Sequence, residues 1–67
     1  MKSSYDLYFK EATVYYTCGT RKADILCAKY IGMAKALSFD LDSEVKKEIE
    51  LKQALLDYML EQVYKRA

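Results

Sequence analysis

Residues 3–19, SSYDLYFKEATVYYTCG, decide the fold class because their pattern fits two different backbones. Tyr5, Tyr8, Phe9, Ala12, Tyr15 and Tyr16 follow the i, i+3, i+4, i+7 series of one helical face. Ser3 or Ser4 suits an N-cap, Asp6 suits the positive end of a helix dipole, and Gly19 suits the left-handed residue that ends a helix. Against this, the run from Thr13 to Thr17 is β-branched and aromatic, and Val14, Tyr16 and Cys18 alternate. The competing form is a β-hairpin folding back at Lys10, Glu11 and Ala12, yet that tripeptide holds no Gly, Asn or Pro to make the turn. The spacing predicts a helix over 4–18 and an all-α class. The alternative is α+β with an N-terminal β-hairpin.

Beyond Gly19, Thr20 is a candidate N-cap for a second helix over 20–38. Steps of 100° gather Ala23, Leu26, Cys27, Tyr30, Met33, Ala34 and Leu37 on one side and turn Arg21, Lys22, Lys29 and Lys35 away. The small residues Ala23, Cys27 and Ala34 allow another helix to approach closely. Gly32 costs about 1 kcal/mol against alanine inside a helix, which close packing or a slight bend would explain.

The stretch SFDLDS, residues 38–43, is the break, with Asp40, Asp42 and Ser43 as N-cap candidates and Glu44 suited to the first turn. Its alternating oxygens resemble a calcium loop, but the central glycine is missing and Leu51 stands where the bidentate glutamate belongs, so capping is the reading. A third helix is predicted over 42–66, supported by Glu48 with Lys52 and Glu61 with Lys65 in the favourable i, i+4 order. It carries two apolar stripes. Val45, Ile49, Leu56, Met59, Leu60 and Val63 form one, and Leu51, Leu55 and Tyr58 form a second, offset by roughly a third of a turn. The first suits an antiparallel hairpin with the second helix. The second needs the N-terminal segment or another subunit.

The chain of 67 residues reads as a single helical domain, 1–67, with no repeats or linkers. A domain this small buries only about 60% of its unfolded surface, so disulfides, metal or oligomerisation are expected to supplement its core. Two cysteines without a signal peptide argue against a disulfide scaffold, and without histidine they cannot complete a structural zinc site. Oligomerisation, as a homodimer, is the remaining supplement. No segment approaches the apolar length of a membrane span, so no membrane association and a cytoplasmic location are expected.

Candidate chemistry is sparse. Cys18 and Cys27 are nine residues apart and do not form a Cys-x-x-Cys redox pair; Cys18, near Arg21 and Lys22, is the candidate reactive thiol, and Cys27 reads as core. No histidine, phosphate loop or nucleophile-and-base set is present, so no enzyme activity and no cofactor are expected. Four basic residues against one acid lie between Arg21 and Lys35, whereas seven acids face three lysines between Asp40 and Glu61. In AKYIGMAKALS, Ala28 and Gly32 have a spacing that resembles the first helix and turn of helix-turn-helix proteins. That resemblance implies nucleic-acid contact through Arg21, Lys22, Lys29 and Lys35, but the following helix is acidic and the net charge is only +1. The segment LDYMLEQVYK, behind a helical hairpin, resembles the small phosphatases that act on response-regulator aspartates. The nearest match to their Ser-Gln-x-Leu-Asp signature, Lys52-Gln53-Ala54-Leu55-Leu56, has leucine where the aspartate belongs, so only the docking hairpin is implied.

The resulting expectation is a three-helix domain acting as a non-catalytic regulatory or accessory protein. It would bind another protein, and a second copy of itself, through Leu51, Leu55 and Tyr58, with Tyr15 and Tyr16 offered to a heterologous partner. A helical nucleic-acid-binding, transcription-regulator-like protein is the alternative.

Overall fold

A computed structural model describes residues 4–66. Among them are four helices and no strand: α1 (Ser4–Cys18), α2 (Arg21–Ser38), α3 (Ser43–Glu48) and α4 (Glu50–Arg66). The class is all-α, and the N-terminal β-hairpin does not form. The β-branched residues of α1 are accommodated by back-bonding: the Thr13 hydroxyl donates to the Phe9 carbonyl at 2.9 Å and that of Thr17 to the Val14 carbonyl at 2.8 Å. Ser4 is the first helical residue. Ser3, the other cap candidate, lies outside the described residues.

Gly19, with φ of 75°, turns the chain out of α1, and Thr20 caps α2 by accepting a hydrogen bond from the Ala23 amide at 3.1 Å. This short turn makes α1 and α2 an antiparallel pair, the most extensive helix contact in the molecule. Two tyrosines of α1 hold it laterally: Tyr15 stacks on Tyr30 at 5.7 Å between ring centroids, and Tyr8 meets the same ring at 5.9 Å. Gly32 lies within an unbroken α2 that has no turn there, and open space surrounds the position a Cβ would occupy. Neither the close packing expected of Gly32 nor a helix-turn-helix bend is present.

The predicted third helix is interrupted at Ile49, giving the short α3 and the long α4. Ile49 leaves helical geometry at φ −102°, ψ 9° and is buried, whereas every residue of α3 is exposed. The break inserts Ile49 into the core while releasing Val45, which the continuous stripe had assigned to it. It also separates Glu48 from Lys52, and Lys52 pairs instead with Asp6 of α1 at 2.8 Å. The Glu61–Lys65 pair forms at 3.3 Å.

Helix α4 runs antiparallel to α2 and alongside α1. At its start Gln53 meets Tyr5 and Ser38, in the middle Asp57 pairs with Lys35, and at its end Arg66 meets Tyr16 and Asp24. The core lies where the three long helices converge, around Tyr5, Ala12, Cys27, Ile31, Ala34, Leu56, Met59 and Val63. Ile31 and Ser38 extend the buried side of α2 toward α4, beyond the stripe expected from sequence.

Candidate functional site

On α4 the two apolar stripes have different fates. Leu56, Met59 and Val63 are buried against α1 and α2. Leu51, Leu55 and Tyr58 remain 81%, 51% and 56% exposed. Their positions, one helical turn apart, place them on a single line facing away from the core. No segment among the described residues covers that line, so this is the largest concentration of uncovered aliphatic and aromatic side chain on one helix.

The helix beneath is held firmly, which gives the face a fixed shape. At the N-terminal end the Tyr5 hydroxyl donates to Gln53 Oε1 at 2.9 Å, and Gln53 Nε2 donates to Ser38 Oγ at 3.0 Å. The Ser38 hydroxyl then donates to the Lys35 carbonyl at 2.6 Å. Burial, followed by the nearby charges of Asp6 and Asp57, raises the Tyr5 phenol above its ordinary range and keeps it a donor. At the C-terminal end Arg66 Nη1 donates to Asp24 Oδ1 at 3.1 Å and to the Tyr16 carbonyl at 3.3 Å, with the guanidinium 4.4 Å from the Tyr16 ring centroid. Among the described residues no buried side-chain polar atom lacks a hydrogen-bond partner.

Away from the outer face of α4, the other candidates have mixed surroundings. Tyr15 and Tyr16 are half-buried within their own chain, against Tyr30 and Arg66, so little of either ring is offered to a partner. The basic residues are divided: Arg21, Lys22 and Lys29 are exposed on α2, whereas Lys35 is turned to α4 and bound to Asp57. Cys27 is fully buried, and its thiol is pushed up first by that burial and then by Asp24; Cys18 is exposed. Among the described residues no three His, Cys, Asp or Glu side chains gather in a way that would hold a metal ion. No helix among them is long and apolar enough to cross a membrane.

A second apolar feature escaped the sequence reading. Ile25 and Tyr64, both exposed, flank a groove of about 450 Å³ floored by Ala28 and Val63 between the start of α2 and the end of α4. The periodicity of either helix alone assigns Ile25 and Tyr64 to solvent, and only the crossing of the two helices sets them facing each other.

No protein-family model matches the chain, and no curated protein or solved structure matches it.

Proposed function

We propose that this chain is a small non-catalytic regulatory or accessory protein of the cytoplasm that binds another protein through the outer face of α4 and itself forms a homodimer. The observation that carries the reading is the exposure of Leu51, Leu55 and Tyr58 on one line of a helix that is otherwise pinned to the core. Isolated exposed apolar residues are ordinary on a protein surface, but an aligned set on a rigid element is a surface from which a partner can displace water. The action would be steric or conformational, by occupying a partner's surface.

The test is light scattering coupled to size-exclusion chromatography on the wild type and on Leu55→Glu, with circular dichroism on the same fractions. A wild-type dimer and a folded, monomeric Leu55→Glu chain are expected, since a buried unpaired carboxylate at the seam would oppose association strongly. A strongly helical wild-type monomer at high concentration would remove the homodimer from the reading.

A further inference from the structure

We infer that the groove between the start of α2 and the end of α4 is a binding site for a small amphipathic anion, an aliphatic monocarboxylate. The groove shares no residue with the line of Leu51, Leu55 and Tyr58. Its volume of about 450 Å³ falls within the usual range of small-molecule sites, and it lies between helices of a bundle, where such sites commonly form. Ala28 and Val63 give it an apolar floor, and the exposed Ile25 and Tyr64 flank it.

Three charged side chains line the groove, Arg21, Asp24 and Arg66, and only two of them offset each other. Asp24 and Arg66 are paired at 3.1 Å, and Arg66 also donates to the Tyr16 carbonyl. Arg21 is exposed, and its side chain has no ion pair or hydrogen bond among the described residues. The groove therefore carries one uncompensated positive charge. Arg21 also stands in the first turn of α2, where the helix dipole disfavours a cation, so the fold gains nothing from that charge.

A guanidinium presents a planar fork of N–H donors that matches a carboxylate. Ala28 is seven residues beyond Arg21, about 10 Å along the helix axis, so an extended chain of about eight carbons anchored at Arg21 reaches the apolar floor. The same lining selects against a peptide. Beyond the charged end the wall is Ile25, Ala28, Val63 and Tyr64, and peptide amides laid there would lose water without gaining partners. Methylene groups have no such loss and gain from burial.

Octanoate, 1-octanol and a short acetylated peptide ending in leucine are titrated into the wild-type chain and into Arg21→Gln and Ile25→Ser, with amide shifts in two-dimensional NMR as the readout. Octanoate should saturate the wild type with a Kd below about 1 mM, moving the amides of Ile25, Ala28, Val63 and Tyr64 together and leaving those of Leu51 and Leu55 in place. Octanol should bind about fivefold more weakly, and Arg21→Gln should bring octanoate to the level of octanol without weakening octanol itself. Ile25→Ser alters an exposed side chain and should weaken both ligands. Octanol binding as tightly as octanoate, or octanoate indifferent to Arg21→Gln, would show that the charge is not read and overturns the proposal. Shifts centred on another surface, or no saturation in the millimolar range, overturn it too. A peptide that binds more tightly than octanoate makes the occupant a protein C-terminus, and shifts of the same amides on concentrating the chain alone make it a second copy; either result displaces the small acid.

Discussion

Replacing Tyr5 by phenylalanine and Gln53 by leucine, singly and together, asks whether the buried hydrogen-bond relay behaves as one unit. Tyr5→Phe keeps the ring and deletes the hydroxyl, leaving Gln53 Oε1 without its donor, and should cost about 1 kcal/mol. Gln53→Leu removes the acceptor of a buried tyrosine hydroxyl. Ser38 still donates to the Lys35 carbonyl, so the loss is dominated by the orphaned phenol, at about 1–3 kcal/mol. In the double variant no phenol is left to orphan, because an aromatic ring faces an aliphatic side chain. Its total cost should fall short of the sum of the single costs by about 1 kcal/mol, well outside the ~0.3–0.5 kcal/mol scatter of independent sites. For a domain of this size that shortfall is about 4–8 °C in Tm. All four chains are compared by thermal and urea unfolding at one fixed chain concentration, because the proposed dimerisation would make apparent stability concentration-dependent. Additive costs would refute the reasoning, showing that Tyr5 and Gln53 each find other partners when the relay is cut.

Three further outcomes are expected. Leu56→Ala, at a fully buried position between the long helices, should cost about 2.7–5 kcal/mol against a total stability of about 3–5 kcal/mol, leaving a largely unfolded chain by circular dichroism at 25 °C; a cooperative transition close to that of the wild type would show that the site collapses around the cavity. Ellman's reagent at pH 8 should titrate one thiol per native chain, Cys18, and the second, Cys27, only after denaturation; two fast thiols would mean that the α1–α2 interface opens readily. Because the folded state holds the Tyr5 proton more tightly than the unfolded state does, its contribution to stability is complete below pH 10 and declines as pH rises through the raised folded pKa, so Tm should fall less steeply on that limb in Tyr5→Phe than in wild type; parallel curves would exclude Tyr5 as the linked group.

The elements that local chemistry governs were legible from the sequence. α1 follows from its spacing and from the poor turn chemistry at Lys10–Ala12, and Gly19 with Thr20 marks the boundary at which α1 gives way to α2. The second stripe of Leu51, Leu55 and Tyr58 was also readable, but sequence left open whether the N-terminal segment covers it, and α1 does not. The break at Ile49 was not, because no glycine, proline or cap marks it; it falls where Ile49 is buried in the core and the preceding turn stays exposed. Ile31 was missed for another reason. The side of α2 that faces α4 includes Asp24 and Lys35, which look solvated in sequence but are ion-paired to Arg66 and Asp57, so charged partners concealed a buried face.

The break at Ile49 also divides the molecule by mobility. From Phe39 to Glu48 no side chain is fully buried and only Leu41 packs against the core, so this stretch can unfold and refold at the loss of few core contacts. Its amides exchange through local opening at a small free energy, whereas those around Cys27 and Leu56 wait for the whole domain to unfold. A protease reaching Lys46 or Lys47 therefore meets a tether between α2 and α4, and the three long helices can remain packed after that tether is cut.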